Sequence, residues 1–161
     1  MTRSKLRNLT IDHTLFSMAF DRDVPFHDIY LQSAYLDRES GEIYWVYEKD
    51  ENAEMEAGIP AEENRAIRER IEATPDRYLE IPGLDHADHH DILRAFLRSD
   101  WTDDEEMWRR AHNAYSGSIG GWKRSVADRT IIHAYYAFRD SRMKEMAEEF
   151  LRDHGIEPQW K

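Results

Sequence analysis

The chain contains no cysteine, and this absence removes several kinds of chemistry at once. Disulfide bonds, thiolate metal sites and a cysteine nucleophile are all excluded. Long apolar runs are also missing, since none approaches the ~20 residues that a membrane-spanning helix requires. The most apolar N-terminal stretch, residues 9–20, is interrupted by Asp12 and His13, which a secretory leader would not carry. We therefore expect no signal peptide, no membrane partner and a cytoplasmic location.

Positive charge is outweighed by negative charge in this chain. Lysine and arginine number 22 against 33 aspartates and glutamates, which gives a formal net charge of -11. Binding to nucleic acid depends on neutralising phosphates with lysine and arginine, so this balance argues against a nucleic-acid partner and is compatible with a protein partner. Hydrophobic residues make up 40% of the 161 residues, which is enough for a globular core. We predict a single domain over residues 1–161.

The first part of the chain, about residues 8–83, predicts a small antiparallel sheet with helices. Two segments have the apolar spacing of helices, residues 8–21 and 61–73. The aromatic and β-branched residues of 31–48 predict a hairpin whose loop places Gly41 at positive φ. The highly charged segment 48–58 is expected to be a mobile loop. Residues 77–83 predict a third strand, which Pro82 and Gly83 end.

The second part, about residues 85–156, carries helical signals throughout. We expect four helices, at about 87–99, after a Thr102 cap, at 121–128 and at 129–154. Thr102 is followed by Glu105 at the spacing of a capping box. His154 and Gly155 are expected to close the last helix, because glycine tolerates the left-handed conformation found there. The fold class is therefore α+β, with a hairpin plus a third strand and a helical C-terminal half.

Four segments of this pattern resemble the landmarks of the bacterial uncharacterised protein family 0158. They are "AYLDRESGEIYWV", "RYLEIPGLD", "IGGWKR" and "YAFRDSRMKEMAEEFLRDHGI", at residues 34–46, 77–85, 119–124 and 136–156. They occur in the family's order and span residues 34–156. Ser125 stands where the family commonly has an aromatic residue. The family has no established activity, so the resemblance implies a set of landmarks and no mechanism.

The segment Ser118–Arg124, "SIGGWKR", combines flexible backbone, a large ring and positive charge in an acidic chain. Glycines allow a ligand to approach backbone N–H groups, and an indole offers a stacking face. From residue 117 to 142 five cations stand against two carboxylates, a local charge of +3. The other interpretation is a tight junction between helices, with the indole in the core and the cations solvated.

We take a basic-aromatic surface in this region as the candidate partner-binding site. Its members are Gly120, Gly121, Trp122, Lys123, Arg124, Arg139 and Arg142. The last helix also carries two apolar stripes, Ile131, Tyr135 and Phe138 on one side and Ile132, Tyr136 and Met143 on another. A helix that is apolar on two sides is central to its domain, so we expect Arg139 to be partly buried and to meet a carboxylate or carbonyl group.

The histidine-rich segment "DHADHHD" offers a candidate metal site made of His86, His89, His90 and Asp91. On a helix, His86 and His90 stand at positions i and i+4 and face the same way, which suits a metal ion. A solvated helix N-terminus with acidic residues near its positive end explains the same residues.

The leading functional hypothesis is a protein-binding or regulatory module that docks through the basic-aromatic surface, because no recognisable catalytic set is present. A metal-dependent hydrolase using His86, His89 and His90 is an alternative. An acidic antitoxin, immunity protein or DNA mimic is a third, which would bind a basic partner through carboxylates. We expect no cofactor, and the oligomeric state is left open.

Overall fold

The computed structural model describes residues 5–21 and 32–161, and within them the chain has the predicted α+β architecture with a helical C-terminal half. The strands are β1 (Arg7–Ile11), β2 (Gln32–Asp37), β3 (Ile43–Tyr47), β4 (Tyr78–Ile81) and β5 (Ile156–Trp160). The helices are α1 (His13–Phe20), α2 (Asp50–Ala57), α3 (Ala61–Ala73), α4 (His86–Arg98), α5 (Glu105–Asn113), α6 (Ile119–Val126) and α7 (Arg129–Asp153). Residue 31, where the hairpin was expected to begin, lies outside the described residues.

The chain divides into two compact units. The first comprises the described residues up to Leu84 together with Ala147–Lys161, and the second is Asp85–Met146. Helix α7 begins in the second unit and ends in the first. The expectation of a single domain over residues 1–161 stays a prediction.

The first unit holds the predicted antiparallel sheet. Its strand order is β3-β2-β4, and Tyr35 of β2 lies between Tyr44 of β3 and Glu80 of β4. The hairpin and the third strand are therefore confirmed. Gly41 has φ +80°, as expected, and a Cβ there would overlap the carbonyl oxygen of Thr10, so the loop fits only a glycine.

A second sheet in this unit was not predicted from the sequence. Strands β1 and β5 pair in parallel, with Leu9 opposite Pro158. The expectation of a continuous helix over residues 8–21 was wrong, because residues 7–11 are extended and Asp12 caps a helix that begins only at His13. Leu9 and Ile11 are buried while Asn8 and Thr10 are exposed, the alternation of a strand.

The charged segment 48–58, expected to be a mobile loop, contains helix α2. Its first residue, Asp50, accepts hydrogen bonds from Arg68 and from the buried side chain of Asn64, both on α3. The hydrogen bond from Arg68 is the main cause that lowers the pKa of Asp50 to about 2. Tertiary contacts thus stabilise a short helix that has little amphipathic character of its own.

The second unit is helical, and its helix starts are set by side-chain caps. Asp85 and Asp88 form a reciprocal capping box at the start of α4, as the acidic residues there suggested. The predicted Thr102 cap was wrong. Asp104 caps α5 by accepting the N–H of Met107, while the Thr102 hydroxyl accepts the N–H of Asp104.

A compact apolar core fills the second unit. Its buried members are Leu93, Phe96, Leu97, Ala111, Trp122, Val126, Ile131 and Tyr135. Helix α6 begins at Ile119, two residues before the predicted start, because Ser118 caps it by accepting the N–H of Gly121. Ala127, at φ +44°, ends α6 and turns the chain into α7.

Candidate functional site

Trp122 belongs to the core and not to a docking surface. Its side chain is fully buried (0% exposed), and its ring lies against Phe96 and Tyr135 at centroid distances of 6.1 and 5.2 Å. The indole Nε1–H donates to the Ala111 carbonyl at 2.8 Å. That carbonyl is in the last turn of α5, where intrahelical donors run out. The inclusion of Trp122 in the partner-binding surface was therefore wrong, because the indole serves to satisfy a helix end.

A second hydrogen bond connects α5 and α6, this time with its donor on α5. Arg110 of α5 donates through Nη2 to the carbonyl of Val126, at the end of α6, at 2.9 Å. A Cβ on Gly121 would lie 3.3 Å from the Ser118 hydroxyl that caps α6, and a Cβ on Gly120 would meet only Arg124 Nη1 at 3.4 Å. Gly121 thus leaves room for the cap, and both glycines are helical. "SIGGWKR" is first of all a junction between helices.

The aromatic residue that does face solvent beside these cations is Tyr136. It is 39% exposed, although the sequence placed it in a second apolar stripe of α7. The Nζ of Lys123 donates to the Tyr136 hydroxyl at 2.8 Å and lies 4.9 Å from the ring centroid. Of that stripe, Met143 is buried and Tyr136 is not. Lys123 and Tyr136 therefore form a paired basic-aromatic feature on the surface of the second unit.

A cavity of about 410 Å³ adjoins this pair at the start of α7. Its lining residues are Ala127, Asp128, Arg129, Ile132, His133 and Tyr136. The last four members have the spacing i, i+3, i+4 and i+7, which places them on one side of the helix. We call Lys123, Arg129, Ile132, His133 and Tyr136 the Tyr136 face. The spacing on α7 was visible in the sequence, but the approach of Lys123 from α6 was not.

The carboxylate of Asp128 also lines the cavity, but its charge is already compensated. Its Oδ1 accepts the backbone N–H groups of Thr130 and Ile131 at the start of α7, at 2.9 and 3.2 Å. Its Oδ2 lies 3.7 Å from Arg110 Nη1. The Tyr136 face therefore presents positive charge to an incoming group.

The remaining cations of the predicted surface are not brought together with Tyr136. Arg142 lies about 120° around the helix axis from Tyr136 and pairs with Glu145 at 3.3 Å. The Arg139 side chain is largely buried, as predicted, and its Nη1 lies 4.0 Å from the Asp140 carboxylate. Arg124 is exposed and reaches back over Gly120. The predicted surface of seven residues is therefore not a single surface.

The candidate metal site is only partly assembled. The Nε2 atoms of His86 and His90 lie 2.9 Å apart, and His90 Nδ1 lies 2.7 Å from the Tyr115 hydroxyl. His89 is buried, and the exposed Asp91 pairs with Arg94 at 3.2 Å. Within residues 5–21 and 32–161, no three histidine, aspartate or glutamate side chains converge as metal ligands do. Of the four candidate ligands, only His86 and His90 lie close together.

Asp37 and Arg77 form an ion pair whose carboxylate is buried and whose guanidinium is partly exposed, and the sequence did not reveal it. The Asp37 side chain is 1% exposed, and Arg77 donates to its two oxygens at 3.0 and 2.9 Å. Burial alone would raise the pKa of Asp37, but the hydrogen bonds from Arg77 and from the Glu39 backbone hold it well below its usual range. Arg38 donates to the carbonyl of His154 at 2.8 Å. The segment "YLDRESGE" therefore stabilises the fold of the first unit through Asp37 and Arg38.

Comparisons with known proteins found no relative of this chain. No protein-family model, no curated protein and no solved structure matches it. The resemblance to family 0158 stays a prediction. In the part of the chain that the structure describes, no helix combines the length and the apolar character needed to cross a lipid bilayer.

Proposed function

We propose that this chain is a protein-binding module that docks an acidic segment of a partner protein on the Tyr136 face. The observation that carries the proposal is the exposed Tyr136, held by Lys123 at the edge of a cavity lined by Arg129 and His133. Tyrosine and arginine are both enriched at protein interfaces, where they are among the residues that contribute most to binding.

The cations of the Tyr136 face are available to a partner. Neither Lys123 nor Arg129 makes an ion pair with any residue in the ranges 5–21 and 32–161. Other arginines of the same unit are engaged, since Arg94, Arg109 and Arg142 each pair with a carboxylate on their own helix. A partner carboxylate would therefore meet uncompensated charge at this face and compensated charge at those arginines.

The apolar lining of the cavity adds a second component to binding. Each exposed ion pair contributes only about 0–1 kcal/mol, so charge alone would give weak binding. Burial of the Tyr136 ring and Ile132 adds the apolar area that such an interface needs. The proposal therefore predicts an acidic segment that also carries an apolar or aromatic side chain, with binding that weakens as salt rises.

The net charge of the chain supports the choice of this one face. With a formal charge of -11, the chain as a whole repels an acidic segment. A positive face on a negative protein directs such a segment to one place, because binding elsewhere brings like charges together. This separates the proposal from a DNA-mimic role, in which the carboxylates would make the contacts.

Selection from a displayed random peptide library tests the proposal. The wild-type chain should enrich peptides rich in aspartate and glutamate, each with an apolar or aromatic residue. The double variant Lys123→Glu/Arg129→Glu should lose these peptides. A glutamate at position 123 can still accept a hydrogen bond from the Tyr136 hydroxyl, so this variant should remain folded.

The matched control is Arg109→Glu/Arg142→Glu. It changes the net charge by the same amount and also reverses exposed arginines of the second unit. The control should keep the selected peptides at affinities close to those of the wild type. Peptides without acidic enrichment, or equal losses in both double variants, would show that overall charge and not the Tyr136 face governs binding.

A further inference from the structure

Two imidazole rings on α4 point their Nε2 atoms at each other. His86 and His90 stand at positions i and i+4, and their Nε2 atoms are 2.9 Å apart. His86 is exposed, so the pair is reachable from solvent, while His90 is buried at its base. The pair is not part of the Tyr136 face, so the proposed docking function does not account for the position of these two histidines.

The hydrogen bonds of the pair leave one proton between the two rings. If His90 Nδ1–H donates to the Tyr115 hydroxyl at 2.7 Å, then His86 Nε2–H donates to His90 Nε2. If the hydroxyl donates instead, the proton between the rings belongs to His90. In either arrangement a single proton fills the space between two nitrogens that are both metal ligands when unprotonated.

Tyr115 provides the outer support that metal-binding histidines use. A ligating imidazole donates its second N–H to an oxygen acceptor, which fixes the ring and its tautomer. The Tyr115 hydroxyl lies in that place for His90, and it leaves His90 Nε2 free for an ion. The charge of nearby Arg94 is compensated by Asp91 at 3.2 Å.

The metal-free spacing of the two nitrogens favours one coordination geometry, provided that the rings keep this spacing when an ion binds. With metal–nitrogen bonds of about 2.0–2.1 Å, two nitrogens 2.9 Å apart subtend an angle of about 90° at the ion. That angle belongs to neighbouring positions of an octahedral or square-planar ion. Tetrahedral zinc would require nitrogens about 3.3–3.4 Å apart.

We propose that His86 and His90 form a two-imidazole chelating site for a divalent transition-metal ion with right-angle coordination, nickel(II) or copper(II). Water completes the coordination, since no third ligating side chain converges here among the described residues. An open site of this kind binds an ion exchangeably.

Calorimetric titration of the untagged chain with Ni²⁺, in a non-coordinating buffer, tests this site. The wild type should bind one ion. His86→Ala should weaken binding on the order of a hundredfold, because the second imidazole acts as an intramolecular ligand. Tyr115→Phe should weaken it about tenfold through loss of the outer hydrogen bond. Circular dichroism checks that each variant is folded.

The matched control is His112→Ala, which removes an exposed histidine of the same unit with no histidine three or four positions away. It should bind Ni²⁺ as the wild type does. Equal affinities for His86→Ala and His112→Ala, or the absence of binding to the wild type, would overturn the site. Tighter binding of Zn²⁺ than of Ni²⁺ would overturn the right-angle geometry.

Discussion

Replacing Trp122 tests whether its side chain stabilises the core or belongs to a binding surface. The indole is fully buried, packs against Phe96 and Tyr135, and donates to the Ala111 carbonyl. Trp122→Ala removes the ring and leaves a cavity, which costs about 3–5 kcal/mol of unfolding free energy in a well-packed core. At about 2–4 °C per kcal/mol for a chain of this size, the melting temperature should fall by about 6–20 °C.

Trp122→Phe separates the contribution of ring packing to the unfolding free energy from that of the hydrogen bond to Ala111. Phenylalanine keeps much of the ring packing but cannot donate to the Ala111 carbonyl, which then stays buried and unsatisfied. A buried polar group without a partner costs about 1–3 kcal/mol, so this variant should lie between the wild type and Trp122→Ala. Urea unfolding followed by circular dichroism, together with differential scanning calorimetry, measures both variants.

Tyr136→Ala is the matched surface control. Tyr136 is 39% exposed, and its removal should change the unfolding free energy by less than about 1 kcal/mol. The reasoning fails if Trp122→Ala costs less than about 1 kcal/mol, since fully buried tryptophans do not behave so. It fails equally if the two alanine variants are destabilised alike.

Three further predictions concern backbone and charge. Gly120→Ala should stabilise the chain by about 0.5–1 kcal/mol in thermal melts, because alanine favours a helix and no backbone atom obstructs its Cβ; a loss of stability would show that Gly120 is needed for packing. Gly41→Ala should lower the melting temperature strongly, because a Cβ would overlap the Thr10 carbonyl at a positive φ; an unchanged melt would contradict this. Asp37→Asn should cost about 2–3 kcal/mol near neutral pH, since it breaks the pair with Arg77. The pKa of Asp37 is lowered in the folded chain, so this stabilisation is present above about pH 4 and is lost as the pH falls further. The difference in unfolding free energy between wild type and variant, measured in urea melts, should therefore shrink below that pH. A difference that stays constant would refute the stabilising role of the Asp37–Arg77 pair.

Local signals in the sequence were sufficient where one segment determines its own structure. Helix α3 occupies Ala61–Ala73, as its apolar spacing indicated, and Gly41 takes the positive φ that the hairpin loop requires. The sheet β3-β2-β4 follows from adjacent runs of β-branched and aromatic residues. Such features depend on neighbours in the sequence, and they can be predicted.

Features that depend on distant partners could not be predicted. Strand β1 exists because β5, near the other end of the chain, pairs with it in parallel, and residues 8–21 carry no sign of that partner. Helix α2 is held by side chains of α3. Tertiary contacts overrode local propensity in both places.

The candidate site shows the same division. The sequence indicated that α6 and α7 carry basic and aromatic residues, and the structure brings Lys123 of α6 to Tyr136 of α7. The sequence pointed to Trp122, which is buried, and not to Tyr136, which is exposed. A tryptophan followed by two cations reads the same in the sequence whether its ring is buried or exposed. The orientation of Trp122 toward Ala111 and of Lys123 toward Tyr136 depends on how α5, α6 and α7 pack.

Site-specific photocrosslinking tests the central claim most directly. A benzophenone amino acid placed at Tyr136, in cells that naturally make this protein, would report which protein touches the Tyr136 face. A second probe at His112, also exposed in the second unit, serves as the control. We predict a crosslink from position 136 to an acidic segment of another protein, lost in Lys123→Glu/Arg129→Glu and absent from position 112. No crosslink from position 136, or the same products from both positions, would contradict the proposed docking face.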